Sequence, residues 1–306
     1  MTTLVFGHTT PDTDSTGSPL IWAWYLSEIK ATPARAVLLG APNSEAAFVL
    51  ERWGVQTPEI IDDVAPGTSV VIVDTNNPAE LPASIGAAQI DAIIDHHKLT
   101  GGLQTTSPIE ITVRPLACTA TLMHDLMGGD AARMPTWVKG LMLSCILSDT
   151  LEFRSPTTTD HDRELAEALA TDLGVKIPDY AAEMFAAKSD VGGFSDEDLL
   201  RVDSKSFDVG GLTLRVSVLE TTAPGPVLER KAGLMAAMPA VAAADGADEV
   251  LMFVVDILNE EATLLLPNDR VRAIAAKSFD AATEGDAVVL PGVMSRKKQI
   301  IPVLKL

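Results

Sequence analysis

Imidazole and carboxylate side chains recur in this 306-residue chain immediately after short apolar runs. The first cluster is His8-Thr9-Thr10-Pro11-Asp12-Thr13-Asp14, and the second is Asp95-His96-His97-Lys98. Between them, the run Val70-Val71-Ile72-Val73 ends in Asp74. If these apolar runs are neighbouring parallel strands, their carboxyl ends meet at one edge of the sheet, where α/β proteins form their ligand sites. The pattern therefore predicts a crevice lined by metal-competent side chains, as in two-metal hydrolases.

The first cluster combines His8 with Asp12 and Asp14 in a loop that contains Pro11. Because the two aspartates are two residues apart, their side chains diverge, and one loop can serve two neighbouring cations. Imidazole with carboxylate suits Mn²⁺, Co²⁺ or Zn²⁺ better than Ca²⁺, which prefers oxygen ligands alone. Helix capping is the simpler interpretation, since Asp and Thr are common N-cap residues.

The other strand ends offer ligands with different roles. Asp74 alone would be a turn residue, but beside the other clusters it is a candidate bridging carboxylate, because two cations about 3.5–4 Å apart need a shared anion. His96 and His97 are adjacent, so one imidazole can bind metal while the other reaches a substrate. Asp95 can fix the tautomer of a neighbouring imidazole.

Two further signals lie later in the chain. Asp149 follows the helix-like run 141–147, and a carboxylate at a helix C-terminus is unfavourable for the helix dipole, which indicates a compensating cation. The run Ser295-Arg296-Lys297-Lys298-Gln299 is basic in a chain of net charge −19. It lies between apolar runs and predicts a phosphate-binding segment, because Arg offers a bidentate fork and Lys a point charge. A solvated surface turn is the alternative.

The elements that must position these residues fall into two patterns. Strand-like runs near 3–7, 35–39, 68–74 and 90–95 alternate with helix-like segments near 16–30 and 43–53, and mostly helical segments follow up to residue 188. This pattern predicts an α/β fold with a doubly wound, mainly parallel sheet flanked by helices. Hairpin signals at 210–211 and 259–261 predict a smaller C-terminal α+β domain on a mixed sheet. We expect domains at 1–188 and 195–306, joined by a linker at 189–194.

Composition limits the partners. An apolar fraction of 47% and a mean hydropathy of +0.21 are typical of a soluble globular protein, and no apolar run is long enough to span a membrane. The strong negative charge argues against nucleic acid as a partner, although cations in one pocket could still hold a small anion. No secretory signal is visible, and Cys118 and Cys145 are expected to be buried and reduced, which favours the cytoplasm.

These motifs together resemble the family II, manganese-dependent inorganic pyrophosphatases of the DHH phosphoesterase superfamily. They run in family order from residue 7 to residue 299. The matching segments are Gly7-His8, Pro11-Asp12-Thr13-Asp14, Val73-Asp74, Asp95-His96-His97-Lys98, Ser148-Asp149-Thr150, Ser155-Pro156-Thr157-Thr158-Thr159, Asp203-Ser204-Lys205 and Ser295-Arg296-Lys297-Lys298-Gln299. The last two segments in combination are the most specific to pyrophosphatases.

The resemblance implies two Mn²⁺ or Co²⁺ ions per subunit, with an additional Mg²⁺ that arrives with the substrate. Its ligand set places one ion with His8, Asp12, Asp74 and Asp149 and the other with Asp14, Asp74 and His96. The residues that it assigns to the phosphates, in substrate binding and catalysis, are His97, Lys205, Arg296 and Lys297. His97 is also the implied proton donor to the leaving group.

The implied reaction is hydrolysis of pyrophosphate to two orthophosphates by a water or hydroxide that bridges the two metals. The N-terminal domain would bind the metals, and the C-terminal domain would close over the substrate. The resemblance also implies a homodimer, and the charge and the short apolar runs described above predict no nucleic-acid or membrane partner.

The chain departs from the family pattern at two places. Thr10 stands where the family usually has Asn, and Thr75-Asn76-Asn77 stands where it usually has His-Asn-Glu. No implied ligand is lost, so the departures concern the surroundings of the ligands.

Two other functions remain open from the sequence. A DHH phosphodiesterase or phosphatase acting on short oligonucleotides or nucleotides would need base-stacking aromatics or glycine-rich loops in the second domain. Residues 195–306 contain only three aromatic residues, Phe207, Phe253 and Phe279. A metal-binding scaffold without catalysis is the other alternative, and the intact ligand set argues against it.

Overall fold

The computed structural model describes residues 2–189 and 191–306. The chain divides into two compact units, one that ends at Ala187 and one that begins at Lys188. Asp190, within the predicted linker 189–194, lies outside the described residues.

The chain up to Lys188 alternates strands and helices and then becomes helical. Its elements are β1 (Thr3–Phe6), α1 (Thr13–Trp24), β2 (Ala34–Leu38), α2 (Ser44–Arg52), β3 (Glu59–Ile60), β4 (Ser69–Val73), β5 (Gln89–Asp95), β6 (Glu110–Val113), α3 (Thr119–Met127), α4 (Thr136–Asp149), α5 (Asp160–Leu173) and α6 (Ile177–Lys188). The predicted parallel sheet is confirmed. The sequence pattern misses β3 and β6, because two and four residues are too short to show a periodicity.

The first sheet has the strand order β3-β2-β1-β4-β5-β6, and its strands are parallel. The chain builds outward from β1 to β3, and then returns to place β4 on the other side of β1. The order therefore reverses between β1 and β4. Open α/β sheets bind their ligands outside the carboxyl ends of the strands at such a reversal.

Apolar residues hold this unit together. One face of the sheet contributes Leu4, Phe6 and Ile72 to a buried cluster. Helix α4 is apolar all round, and every residue from Leu141 to Leu147 is fully buried. A helix of that kind is stable only inside a protein. Its burial carries the polar residues at its C-terminus into the interior.

The second unit has a mixed five-stranded sheet in the order β11-β10-β9-β8-β7. Its elements are α7 (Asp196–Leu199), β7 (Ser204–Val209), β8 (Leu212–Thr221), α8 (Gly225–Glu229), α9 (Lys231–Ala244), β9 (Glu249–Asp256), β10 (Glu261–Leu265), α10 (Asp269–Phe279) and β11 (Ala287–Pro291). β8 and β9 are parallel, and the other pairs are antiparallel. The predicted α+β architecture is confirmed.

Local turn chemistry explains the hairpins. Gly210 and Gly211 both have positive φ, 57° and 88°, as a two-residue hairpin turn between β7 and β8 requires. The segment between β8 and β9 forms two helices, α8 and α9, separated at Arg230. None of the helices within residues 2–189 and 191–306 has the length and apolarity that a membrane span requires.

Candidate metal centre and phosphate-binding residues

The loop after β1 both caps the start of α1 and carries side chains of the candidate site. The Asp12 Oδ1 atom caps α1 by accepting a hydrogen bond from the Ser15 N–H at 2.9 Å. Ser15 Oγ in turn accepts from the His8 N–H at 2.8 Å. A Cβ atom at Gly7 would overlap Ser15 Oγ, so only glycine fits there. The capping interpretation of Asp12 is correct, and its Oδ2 atom still lies 3.7 Å from His8 Nε2.

Asp74 lies at the centre of the cluster, one residue beyond β4, and is 1% exposed. Its Oδ2 atom is 3.7 Å from His8 Nε2, and its Oδ1 atom is 3.4 Å from His96 Nε2. One carboxylate thus presents a different oxygen to each of two imidazoles. This arrangement suits a carboxylate that bridges two cations.

The tautomer of His96 suits metal binding. Its Nδ1 atom lies 3.1 Å from the Leu116 carbonyl oxygen, which can only accept, so a neutral ring carries its proton on Nδ1. The lone pair on Nε2 then points toward Asp74. A ligating histidine is commonly held in this way by its second nitrogen.

His97 has a different environment, with a side chain that is 53% exposed. Its Nδ1 atom is 2.9 Å from Asp95 Oδ1, and its backbone N–H donates to the same oxygen at 3.0 Å. Burial acts to raise the pKa of the Asp95 carboxyl, but the bonds from His97 and from Asn76 outweigh it and hold that pKa below its usual value. The Asp95 carboxylate therefore stays ionised and favours a proton on His97 Nδ1.

Two further carboxylates meet from helix termini. Asp14, in the first turn of α1, accepts hydrogen bonds from Ser18 Oγ at 2.5 Å and from the Thr119 N–H at 2.7 Å. Thr119 Oγ1 also donates to Asp74 Oδ1 at 3.0 Å. Asp149 is the last residue of α4, and its buried Oδ2 atom has no hydrogen-bond partner within the described residues.

Charge accumulation at this cluster is the strongest indication of a cation. Burial, followed by the nearby carboxylates of Asp14 and Asp12, raises the pKa of Asp74 well above its usual range. Burial, followed by Asp14, Asp74 and Asp12, does the same to the pKa of Asp149. Clustered buried carboxylates cannot all be ionised unless positive charge compensates them. The donor set and the orphaned Asp149 oxygen therefore fit divalent metal ions.

Three groups of side chains offer ligand atoms that all lie within 4.8 Å of one another. They are His8 with Asp12 and Asp74, Asp14 with His96 and Asp149, and Asp74 with His96 and His97. The first group contains three of the four residues that the resemblance implies for one ion. The second joins Asp14 and His96, which it implies for the other ion, with Asp149, and the packing of α1 against α4 brings Asp14 and Asp149 together.

Two of the residues that depart from the family pattern, Thr75 and Asn76, hydrogen-bond to carboxylates outside the candidate ligand set. Thr75 Oγ1 donates to Glu80 Oε2 at 2.7 Å. The buried Asn76 donates through Nδ2 to Asp95 Oδ2 at 2.5 Å and accepts from the Thr100 N–H at 2.9 Å. Asn76 therefore supports the carboxylate that holds His97.

A cavity of about 320 Å³ adjoins the cluster in the first unit. It is lined by His8, Thr10, Thr75, Asn76, Asn77, Glu80, His97, Lys98 and Thr100. Its volume is at the lower end of the range of small-ligand pockets, and its walls combine imidazole, hydroxyl, amide and charged groups.

The remaining implied site residues belong to the second unit. Lys205 is an exposed residue of β7, and Arg296 and Lys297 begin a π-helical turn, Arg296–Ile300. The Arg296 guanidinium donates to the Asp203 carbonyl oxygen and to Asp203 Oδ1, each at 2.7 Å.

The flanking residues of the basic run shape that turn. The Ser295 Oγ atom accepts from the Lys298 N–H at 3.3 Å. The Gln299 Oε1 atom accepts from the N–H groups of Met294 and Ser295, and its Nε2 atom donates to the Gly292 carbonyl oxygen at 2.5 Å. These bonds give the first and last residues of the basic run a structural role.

Sequence reasoning missed Thr119 and Ser18, which donate to candidate ligand carboxylates, and Ser15, which holds the loop that carries His8. Each is a small hydroxyl residue near a helix N-terminus, where such residues are common for capping alone. No spacing in the sequence distinguishes them from ordinary caps. Their roles depend on contacts such as Thr119 with Asp14, 105 residues apart.

Comparisons with known proteins agree along the whole chain. Residues 2–147 match the DHH family N-terminal domain, and residues 182–306 match the DHHA2 domain. A Deinococcus radiodurans protein named "Probable manganese-dependent inorganic pyrophosphatase" is 40% identical, over 98% of this chain and 97% of its own length. A Lactobacillus acidophilus protein of the same name is 35% identical, over 98% of this chain and 96% of its own.

A solved structure of a Methanococcus jannaschii "putative family II inorganic pyrophosphatase" superimposes with a TM-score of 0.62 at 34% identity. It is matched over 97% of its length, and the match covers 98% of this chain. The two domain matches and the full-length relatives agree with the family indicated by the motifs. The chain therefore belongs to the family II, manganese-dependent inorganic pyrophosphatases of the DHH superfamily.

Proposed function

We propose that this chain hydrolyses inorganic pyrophosphate to two orthophosphates. The observation that carries the proposal is Asp74, whose two oxygens face two different imidazoles at the point where the strand order reverses. The full-length relatives named as manganese-dependent inorganic pyrophosphatases support the substrate and the metal.

Two divalent ions per subunit, Mn²⁺ or Co²⁺, are the proposed cofactors. Their proposed ligands are His8, Asp12, Asp14, Asp74, His96 and Asp149, all in the first unit. When bound, such ions lower the pKa of a shared water to make a nucleophile and neutralise charge on phosphate oxygens. An additional Mg²⁺ would accompany the substrate.

His97 is the proposed proton donor to the leaving phosphate. Its exposed ring borders the cavity, and Asp95 favours a proton on Nδ1, which leaves Nε2 to exchange a proton with the substrate. The Asn76 bond to Asp95 keeps that carboxylate oriented. Proton transfer of this kind contributes about 100- to 10,000-fold to rate.

Lys205, Arg296 and Lys297 are the proposed phosphate ligands of the second unit. In this role the first unit is the metal-binding catalytic domain, and the second is the substrate-clamping domain. The turn that carries Arg296 and Lys297 is preformed by Ser295 and Gln299, so little ordering is needed when phosphate binds.

We further propose that the protein acts as a cytoplasmic homodimer. The outer edge of β6 pairs with no strand among the described residues, and Ile111 on it is 55% exposed. An unpaired edge with an exposed apolar residue is a natural place for strand pairing between two copies. Cys118 and Cys145 are both buried and unpaired with each other, as in reducing compartments.

The test is orthophosphate release from pyrophosphate by protein that has been stripped with a chelator and reloaded with Mn²⁺. We expect turnover only after reloading, and a strong preference over a dinucleotide. Comparable cleavage of the dinucleotide would favour the DHH phosphodiesterase, and no turnover of either substrate would favour the metal-binding scaffold.

A further inference from the structure

Glu45 is a fully buried carboxylate outside the ligand set. It lies in the first turn of α2, on the face of that helix that buries Ala46, Val49 and Leu50. Its exposed fraction is 0%. Burial of a carboxylate among apolar neighbours is unfavourable unless hydrogen bonds compensate it. Its position in the core therefore calls for a specific role.

The hydrogen bonds of Glu45 lead to both sides of the metal centre. Its Oε2 atom accepts from Thr13 Oγ1 at 2.9 Å and from Ser148 Oγ at 2.7 Å. Thr13 lies between the candidate ligands Asp12 and Asp14, and Ser148 directly precedes Asp149. One oxygen atom therefore joins the start of α1 to the end of α4.

The helix that carries Glu45 is itself held against the metal-binding loop. The Asn43 N–H donates to the Pro11 carbonyl oxygen at 3.1 Å, and Asn43 Oδ1 caps α2 by accepting from the Ala46 N–H at 2.8 Å. A Cβ atom at Gly40 would lie only 2.7 Å from the Thr9 carbonyl oxygen, so the approach is close. Glu45 thus extends from a support that is fixed relative to the loop.

Such a link answers a physical need of this site. Asp14 and Asp149 contribute ligand atoms to one group within 4.8 Å, and a metal ion there requires these atoms at a defined separation. The packing of α1 against α4 brings the two helix ends together, and finer contacts must fix that separation. Hydrogen bonds from Thr13 and Ser148 to a shared anionic oxygen do so without occupying a ligand atom.

We propose that Glu45 is a positioning residue, which sets the separation between Asp14 and Asp149 by holding Thr13 and Ser148. The inference deepens the proposed function and rests on the assignment of Asp14 and Asp149 as metal ligands. Its effect is to preorganise the site, so that Mn²⁺ binds without further adjustment of the two helix ends.

The test measures Mn²⁺ affinity of the full-length, metal-free protein by titration calorimetry, without substrate, with thermal unfolding recorded for each variant. Glu45→Ala is expected to weaken Mn²⁺ binding by about 10- to 100-fold, the usual effect of removing an outer support of a metal site. Glu45→Gln keeps an oxygen acceptor and is expected to retain most of the affinity. As a single substitution, Ser148→Ala should also weaken Mn²⁺ binding. In the double variant it should cause no loss of affinity beyond that of Glu45→Ala.

Asp256→Ala is the matched control. Asp256 is a buried carboxylate of the second unit, which accepts hydrogen bonds from Leu258 and Asn259 in its own turn. The Asp256→Ala substitution should lower the unfolding temperature and leave Mn²⁺ affinity unchanged.

Three results would overturn the inference. Unchanged Mn²⁺ affinity in Glu45→Ala would mean that Glu45 only stabilises the fold, and equal losses in the Gln and Ala variants would mean that it acts by charge. Full additivity of Glu45→Ala and Ser148→Ala would also contradict it. If Glu45→Ala does not fold, the Mn²⁺ affinities of Glu45→Gln and Ser148→Ala test the inference instead, and an unchanged affinity in Ser148→Ala would contradict it. Unchanged protein that binds Mn²⁺ without releasing phosphate would refute the proposed function alone.

Discussion

At the scale of single residues, Asp74 combines backbone strain with a central position. Its φ of 59° lies in the left-handed region, which costs a non-glycine residue on the order of 1–3 kcal/mol. Its N–H still pairs with the Ile94 carbonyl oxygen at 2.9 Å, so the conformation is fixed by the adjacent strand. The carboxylate is thereby held with one oxygen toward His8 and the other toward His96.

Asp74→Ala should therefore impair both metal ions, because only a shared ligand serves two cations. We expect Mn²⁺ affinity to fall by more than about 100-fold, since loss of an outer support alone costs about 10- to 100-fold. The measurement is metal content by elemental analysis after dialysis. Asp91→Ala, at an exposed position of the neighbouring strand β5, should retain full metal content. Two ions retained in Asp74→Ala would exclude a bridging role.

Asp149 permits a prediction about pH. Burial and the neighbouring carboxylates raise its pKa in the metal-free fold, so above the ordinary carboxyl pKa of about 3.9 the folded state holds a proton that the unfolded state has released. The free energy of unfolding therefore loses this contribution as pH rises through the folded-state pKa. Asp149→Asn removes the titration, so the metal-free variant should gain stability relative to the unchanged protein as pH increases.

Denaturant unfolding across a pH series, with a chelator and then with Mn²⁺, tests this expectation. With Mn²⁺ the unchanged protein should be more stable than Asp149→Asn, because the cation binds the ionised carboxylate and stabilises the folded state by mass action. A stability difference between the two proteins that does not vary with pH would show that Asp149 has an ordinary pKa.

Arg296→Ala should separate phosphate binding from metal binding. We expect unchanged Mn²⁺ content and turnover reduced by about 100-fold or more, if the guanidinium stabilises charge on the phosphates. Lys298→Ala is the matched control, because it removes a cation from the same turn, keeps the backbone N–H that donates to Ser295, and changes a side chain with no proposed role. Loss of metal from Arg296→Ala, or an equal loss of turnover from Lys298→Ala, would contradict the assignment.

At the scale of elements, the turn after α4 stores strain next to the candidate metal centre. Leu151, Glu152 and Phe153 have φ values of 49°, 54° and 69°, three consecutive residues in the left-handed region. That conformation costs L-residues about 1–2 kcal/mol each. The Arg163 guanidinium lies 4.3 Å from the Phe153 ring centre, and this contact helps to hold the turn.

Glu152→Gly and Glu152→Val test this strain as a pair. Both variants lose the same ion pair with Arg154, so the difference between their stabilities reports the backbone. Gly adopts positive φ freely, whereas a β-branched residue does so least easily, and we expect the Val variant to be less stable by about 1–2 kcal/mol. Equal free energies of unfolding in denaturant titrations would mean that the turn relaxes in solution.

At the scale of the whole molecule, the two compact units divide the proposed chemistry between them. All six candidate metal ligands lie before Ala187, and Lys205, Arg296 and Lys297 all lie after it. Each unit has its own sheet and its own buried apolar cluster. Metal binding and substrate binding should therefore be separable.

A fragment that ends at Lys188, where α6 ends, should fold and bind Mn²⁺. It should hydrolyse almost no pyrophosphate, because the three proposed phosphate ligands, Lys205, Arg296 and Lys297, are missing. Circular dichroism, metal content and phosphate release measure the three properties. Substantial turnover by the fragment would show that the second unit does not complete the site.

The sequence by itself determined the strand-end clusters, the alternation that makes a parallel sheet, and the hairpin turns of the second unit. These features are local, because a run of β-branched residues, a glycine pair or a helix cap is stable for reasons contained in a few neighbouring residues. Asp12 illustrates the limit of such reasoning, since its cap is visible in the sequence and its distance to His8 is not.

Only the tertiary structure decided which ligands share a group. Asp149 lies with Asp14 and His96, Thr119 joins Asp14 to Asp74, and Glu45 is buried between two helices. Each of these contacts joins residues of different elements, 45 or more positions apart in the case of Thr119. Such separations depend on how α1, α3 and α4 pack, and packing is fixed by the volume and shape of many side chains at once rather than by any local pattern.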